Sequence, residues 1–218
     1  MPIVWDMHRW ETSHQLYILK DYIQLMEAQF EKVKNEELIT IRKRPKFENE
    51  VEYHEWQSIV DYQEMIFEEQ MPTKLRYSFV VQIWIIVENR LNELCSEIKS
   101  RNKLDLNANE FKGSQIEKAK IFLKKVAKIN LEQSQWTKVK QFQLIRDCII
   151  HADGNIRKSN KASTLRDYVK AASGIEINQN GNIFISKDFI ESHLLLVKGF
   201  FDSIYNEAGF GPENIVVT

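Results

Sequence analysis

Glycine, proline and cysteine are all scarce in this chain, and it has no apolar run long enough to cross a membrane. Only 7 of the 218 residues are Gly and 4 are Pro, which disfavours a fold of many tight turns and favours long helices. The longest apolar stretch, Phe79 to Val87, is interrupted by Gln82 and is much shorter than the roughly 20 residues of a transmembrane helix. The first ten residues lack the basic start and apolar core of a secretory signal. We therefore expect a cytoplasmic protein without a membrane partner.

Metal-binding and nucleotide-binding motifs are also missing. The two cysteines, Cys95 and Cys148, both lie in apolar helical patterns, which predicts buried, reduced thiols. The sequence has no CxxC pair, no His-Cys cluster and no HExxH motif, so we predict no zinc site. A phosphate-binding loop of the GxxxxGK[ST] type is absent as well. We expect no metal and no cofactor.

Charge is distributed unevenly along the chain. The formal net charge is −1, but residues 112–170 contain 14 Lys and Arg against 5 Asp and Glu, whereas the remainder contains 16 against 26. A basic segment of this kind favours a ligand with a phosphate backbone. Lysines on solvated helix faces produce the same balance without any ligand, so charge alone leaves both interpretations open.

Apolar residues recur at helical spacing through most of the chain. The helix that starts at Pro72 is the most apolar and should form the centre of a bundle. Ser114 and Glu117 match a capping box at a helix start, and Gly154 is suited to end the helix that carries Cys148. We predict helices over about residues 13–36, 49–70, 72–101, 114–128, 131–152, 163–172 and 186–207.

The periodicity changes near the C-terminus. Isoleucines alternate with polar residues on both sides of Asn180-Gly181, which predicts a β-hairpin with a tight primed turn. The predicted fold class is therefore mainly α, a helical bundle with one small β-hairpin near residues 175–186. We treat residues 1–218 as one helical domain. Its parts are an N-terminal helical extension over 1–70, a core over 72–207 and a tail over 208–218. In the second helix of the extension, the residues expected to face inward are Val51, Trp56, Ile59, Val60 and Ile66.

The segment from Arg146 to His151 places a cation, an anion and an imidazole on the last turns of the fifth predicted helix. Asp147 and His151 are four residues apart and lie nearly on one helix face. Arg146 points about 100° away from Asp147, but its long side chain can bend back. Arginine offers a fork of donors to phosphate oxygens, and histidine is an acid or base near neutral pH. The alternative is that both cations only complement the negative end of the helix dipole.

This segment resembles the motif of the HEPN superfamily of helical bundles, which consists of Arg, a polar residue, three variable residues and His. The family most often has Asn at the second position, where this chain has Asp147. The likeness covers roughly residues 75–205 and includes the capping box at Ser114, Trp136, the Asp153-Gly154 stop after the motif, and the hairpin.

The resemblance implies a homodimer in which two motif helices face each other and form one composite cleft. Active members of the family cleave RNA without metal and leave a 2′,3′-cyclic phosphate and a 5′-hydroxyl. By resemblance, His151 would transfer protons, Arg146 would stabilise charge on the phosphoryl oxygens, and Asp147 would support them. Many members act as toxins or in antiphage defence, which makes an antitoxin or nucleotidyltransferase-like partner possible.

Further residues complete the predicted site. In the basic segment we predict that Lys138, Lys140, Arg157 and Lys158 bind RNA. Glu88 is either a supporting partner of the motif or simply the polar edge of its helix. His193 has no metal-ligand spacing to other histidines, so we expect it on the surface.

The sequence therefore predicts a metal-independent endoribonuclease. Two alternatives stay open: an inactive HEPN module that binds RNA or nucleotides, and a helical interaction or scaffold protein.

Overall fold

The computed structural model describes residues 6–43 and 45–211, and long helices dominate it. The antiparallel strands β1 (Ile175–Ile177) and β2 (Ile183–Ile185) form one small hairpin. The mainly α fold with a hairpin near residues 175–186 is therefore confirmed. The helices are α1 (Met7–Ile41), α2 (Glu50–Met65), α3 (Met71–Arg101), α4 (Gln115–Ile121), α5 (Gln133–Ala152), α6 (Ala162–Ala171) and α7 (Lys187–Glu207).

No helix within these residues combines the length and apolarity that a membrane span requires.

The central helix of the bundle is α3, as its composition predicts. It packs against α1, α4, α5 and α7. Phe79, Ile83 and Trp84 are fully buried in it, because apolar residues occupy more than one face of the helix. The motif helix α5 packs directly against α3, so residues of α3 supply the surroundings of the motif.

The predicted helix start at Pro72 is confirmed, since α3 begins at Met71 with Pro72 in its first turn, but no loop separates α3 from α2. They are joined by a π-helical turn, Ile66–Gln70, in which the N–H of Met71 donates to the carbonyl of Ile66. In this turn the backbone N–H bonds to the carbonyl five residues earlier instead of four, so one extra residue is accommodated. The helix therefore continues through Pro72, which has no N–H to donate. The hydroxyl of Thr73 donates to the carbonyl of Glu69 at 2.6 Å within the same turn.

Of the two helices before α3, α2 is more exposed than predicted. In α1, Leu16, Leu19 and Ile23 are buried where the helix packs against α3 and α7. In α2, Val60 is buried as predicted, but Val51 and Ile59 are 66% and 59% exposed. The prediction that these two residues face inward is wrong. The main helical neighbour of α2 is α1, which covers only one side of it.

Local capping signals are confirmed at two helix starts. The backbone N–H of Ser114 donates to the carboxylate of Glu117, and that of Glu117 donates to the Ser114 hydroxyl. Ser186 accepts from the N–H of Phe189 at the start of α7. The end of α5 differs slightly from prediction, because Asp153 is the left-handed cap (φ +50°) and Gly154 (φ +73°) follows it.

The hairpin turn is wider than the predicted two-residue primed turn. The N–H of Gly181 donates to the carbonyl of Asn178, and Gly181 has a positive φ of +87° whereas Asn180 does not. This is a three-residue loop with glycine in the left-handed position. The Asn178 side chain favours it by accepting from the amides of Asn180 and Asn182.

The predicted tail over 208–218 begins as a packed segment. Phe210 is buried, and the guanidinium carbon of Arg101 lies 4.1 Å from the centre of its ring. The rest of the predicted tail, residues 212–218, lies outside the described residues.

Candidate functional site at the end of α5

The last two turns of α5 expose the polar residues of the motif. Ile145, Cys148 and Ile149 are buried against the bundle, so the opposite side of the helix faces outward. Arg146 and Asp147 are partly buried there, and their side chains are 21% and 29% exposed. His151 is exposed. The helical period of the sequence therefore places the motif on an accessible edge.

Arg146 is held between two carboxylates. Its Nη1 donates to Asp147 Oδ1 at 3.0 Å, and its Nη2 lies 3.6 Å from Oε2 of Glu88 on α3. The guanidinium carbon is 5.9 Å from the centre of the Trp84 ring. The Nε atom is buried without a hydrogen-bond partner in the described part of the chain. The structure thus brings Glu88 to Arg146, and these contacts orient the guanidinium towards α3.

His151 faces a different space. Its side chain lines a cavity of about 300 Å³ together with Asp147, Lys158 and Lys161. Among residues 6–43 and 45–211 the imidazole has no hydrogen-bond partner, so both ring nitrogens are available to a ligand. Arg146 does not line this cavity. Within one chain, Asp147 connects the two groups: it accepts a hydrogen bond from the Arg146 guanidinium, and it lines the same cavity as the His151 imidazole.

Two of the predicted RNA-binding residues have structural partners instead. Lys140 forms an ion pair with Glu117 of α4 at 2.8 Å. Arg157 donates from Nη2 to the carbonyl of Gln179 at 2.8 Å and thereby braces the hairpin loop. Neither residue lines the cavity of His151. Their partners come from distant positions in the sequence, which the local charge pattern does not reveal.

The other two predicted RNA-binding residues lie in separate places. Lys158 lines the cavity of His151, whereas Lys138 lines a groove between α5 and α7 with Leu195. Lys161 also lines the His151 cavity, and we did not single it out from the sequence. The signal that could have identified it is its position three residues after Lys158 in the same basic segment.

Neither a reactive thiol nor a cluster of metal ligands accompanies the motif. Burial raises the pKa of the Cys148 thiol to about 11, so the thiol is protonated at neutral pH and is a poor nucleophile. Residues 6–43 and 45–211 contain no group of three or more His, Cys, Asp or Glu side chains placed to hold a metal ion. The chemistry available at this site is that of Arg146, Asp147, His151 and the nearby lysines.

The expectation that His193 lies on the surface is wrong. Its ring is stacked against those of Phe142 and Phe189, with centroids 4.8 and 3.9 Å away. Nδ1 lies 2.7 Å from the Phe189 carbonyl oxygen and Nε2 lies 3.1 Å from the Tyr168 hydroxyl. Burial lowers the pKa of this imidazole. His193 is a core residue and takes no part in the site at the end of α5.

Comparison with models of protein families found none that matches this chain, and comparisons with curated proteins and with solved structures found no match either.

Proposed function

We propose that the protein is a metal-independent endoribonuclease of the HEPN type. One observation carries the proposal: Asp147 joins the Arg146 guanidinium to a cavity that is lined by two lysines and by an imidazole without a hydrogen-bond partner among the described residues. Lys158 and Lys161 give this cavity the positive charge that a phosphodiester requires. His151 gives it a group that can exchange a proton near neutral pH.

In the proposed reaction, His151 removes the proton from a ribose 2′-hydroxyl. The 2′-oxygen attacks the adjacent phosphorus, the new 2′-O–P bond forms, and the bond from phosphorus to the 5′-oxygen breaks. The protonated His151 then gives its proton to the leaving 5′-oxygen, so the imidazole returns to its neutral form and the products are a 2′,3′-cyclic phosphate and a 5′-hydroxyl. Arg146 stabilises the negative charge that grows on the phosphoryl oxygens during the attack.

A second copy of the chain is part of the proposal, because the guanidinium and the imidazole of one chain do not share a cavity. Exposed apolar side chains lie near the motif on α5, which carries it, and on α3, which packs against it. Ile85, three residues before Glu88 on α3, is 48% exposed, and Ile150, next to His151 on α5, is 45% exposed. Burying these residues between two copies would bring the two motif helices together.

The test of the activity is cleavage of RNA by the purified protein in the presence of EDTA. We expect fragments that end in a 2′,3′-cyclic phosphate, and we expect His151→Ala to lower the cleavage rate by about 100-fold or more. His54→Ala, at an exposed histidine of α2, is the matched control and should cleave normally. Undiminished cleavage by folded His151→Ala protein would exclude the histidine from the mechanism.

The test of the assembly is the solution mass of the 25.9 kDa chain. We expect a dimer for the natural sequence and a monomer for Ile85→Glu, because a buried, unpaired carboxylate opposes association. Ile59→Glu, on the exposed side of α2, should remain dimeric. A natural chain that is monomeric at micromolar concentration would contradict the composite cleft.

The pairing of Arg146 with two carboxylates favours a second candidate, an inactive module that binds RNA or nucleotides. Glu88 and Asp147 together neutralise the guanidinium, and a neutralised cation stabilises a phosphoryl transition state less well. This candidate predicts salt-dependent RNA binding that Lys158→Ala weakens, with no change in the RNA ends. Measuring binding and product ends on the same sample separates the two functions.

A further inference from the structure

A second cavity, of about 530 Å³, lies between the π-helical turn, the start of α3 and the hairpin. Ligand sites commonly have volumes of this size and combine an apolar lining with a few polar groups. Asp153, two residues after His151, lines this cavity, whereas His151 itself lines the smaller one. Both cavities therefore lie near the C-terminal end of α5, and we refer to the larger one as the hairpin cavity.

Phe184 gives the hairpin cavity an aromatic surface. Its neighbours Ile183 and Ile185 are buried, and because side chains alternate along a strand, Phe184 points to the other face of β2. The ring is half-buried and lines the cavity. In the described part of the chain it makes no contact with another aromatic ring, although most rings of this core do. One face of a planar ligand could stack on it.

Polar side chains that can still form hydrogen bonds line the same cavity as this ring. Asn178 and Asn182 accept hydrogen bonds through their side-chain oxygens, and among the described residues neither side-chain NH₂ group has an acceptor. The side chains of Glu69 and Gln70, both exposed on the π-helical turn, also have no partner within residues 6–43 and 45–211. Turns of this kind are rare and frequent at functional sites.

The charges of the hairpin cavity disfavour a phosphate. Among the described residues that line it, Lys74 is the one cation beside Glu69 and Asp153, and Lys74 is already paired with Asp153 at 2.7 Å. The smaller cavity has the opposite character, because Lys158 and Lys161 line it. A neutral planar group therefore suits the hairpin cavity, and an anionic group suits the cavity of His151.

We propose that the hairpin cavity binds a nucleobase, stacked on Phe184 and hydrogen-bonded by Glu69 and the two asparagine amides. A carboxylate accepts from exocyclic amino groups, so guanine, adenine and cytosine should bind more tightly than uracil. The base belongs either to a free mononucleotide or to an RNA strand whose phosphate lies in the His151 cavity. Only the second source rests on the proposed ribonuclease function.

The experiment is calorimetric titration of the full chain with guanosine, guanosine monophosphate, cytidine, uridine and a short oligoribonucleotide. We expect saturable binding, with uridine the weakest nucleoside. Phe184→Leu should weaken binding by about tenfold, since leucine has no aromatic face on which a base can stack, and Phe184→Tyr should retain it. Glu69→Gln should remove the discrimination against uridine.

Gln179→Ala is the control, because this exposed loop residue does not line the cavity. Glu69 is exposed, so Glu69→Gln keeps the test decisive if Phe184→Leu does not fold. No saturable binding of any nucleoside, or affinities unchanged in both variants, would overturn the proposal.

These measurements distinguish a failure of the nucleobase site from a failure of the proposed ribonuclease activity. His151→Ala should leave nucleoside binding intact, so Phe184-dependent binding without cleavage would retain the nucleobase site and reject the nuclease. Cleavage without any nucleoside binding would retain the nuclease and reject the nucleobase site. If Lys158→Ala weakens binding of the oligoribonucleotide but not of guanosine, the base comes from an RNA strand. Equal affinity for guanosine monophosphate and the oligoribonucleotide identifies a free nucleotide as the ligand.

Discussion

The hydroxyl group of Tyr77 occupies the space that a side chain at position 154 would need. A Cβ built on Gly154 lies 2.0 Å from this oxygen, which donates a hydrogen bond to the carbonyl of Ile183 at 2.6 Å. Gly154 in turn donates its N–H to Cys148 and accepts from the N–H of Ile183. One glycine therefore joins α3, the end of the motif helix and β2. Tyr77 and Ile183 also line the hairpin cavity.

Gly154→Ala should lower the free energy of unfolding by about 3 kcal/mol or more, because it adds a steric clash to an unfavourable positive φ. Gly209→Ala is the matched control. Gly209 has nearly the same φ, +72° against +73°, but an added Cβ meets no atom within 4 Å. The control should therefore show only the backbone effect, about 1 kcal/mol. Urea denaturation of both variants measures the difference, and equal losses would contradict the role of Tyr77.

Asp147→Asn should increase RNA affinity and cleavage by several-fold. The substitution removes one of the two carboxylates that neutralise Arg146 and one negative charge from the cavity of His151. A less neutralised guanidinium binds a phosphoryl group more strongly. Asp167→Asn, at an exposed position of α6 in the same basic segment, controls for net charge. Binding curves and single-turnover rates test the prediction, and a loss of activity would instead give the Asp147 carboxylate an essential role.

The double substitution Lys158→Ala/Lys161→Ala should weaken RNA binding and reduce its dependence on salt. Each lysine that contacts a phosphate contributes about one unit to the slope of log K against log salt concentration. The double substitution Lys138→Ala/Lys140→Ala removes the same charge from positions outside the His151 cavity. Affinities measured between 50 and 200 mM salt compare the two variants. Equal effects would show that general charge, and not this cavity, attracts RNA.

His193 should make the protein less stable as the pH falls below about 6.5. Burial lowers the pKa of the folded imidazole below its ordinary value of 6.5, so in the window between these two pKa values the unfolded chain binds a proton that the folded chain does not. The free energy of unfolding therefore decreases with falling pH across that window and levels off below the folded pKa. His193→Phe should flatten this dependence, whatever its effect on stability at pH 8.

Denaturation of both proteins between pH 5 and pH 8 provides the measurement. His54→Phe, at an exposed position of α2, should leave the pH dependence of the free energy of unfolding unchanged. A natural protein whose stability is constant from pH 8 to pH 5 would contradict a buried neutral imidazole.

Local signals in the sequence predicted the helix starts at Ser114 and Ser186 and the position of the hairpin correctly. The reciprocal bonds of Ser114 and Glu117 and the cap at Ser186 involve residues three apart, so the local sequence already contains both partners. Pro72 lies in the first turn of α3 as predicted, but its position misled the prediction of a break after α2, because a π-helical turn joins the two helices. His193 misled it as well, since the two rings that enclose it come partly from α5, and spacing along α7 does not reveal them.

The sequence by itself determined that a guanidinium, a carboxylate and an imidazole share the last turns of one amphipathic helix, because the helical period acts between near neighbours. The tertiary structure decided which of them are paired and which are available. Packing of α3 against α5 brings Glu88 to Arg146, while the segment after α5 folds back to bring Lys158 and Lys161 to His151. The contact of Glu88 with Arg146 joins residues far apart in the chain, and the approach of the two lysines depends on how the segment after α5 folds, so a pattern read along one helix reveals neither.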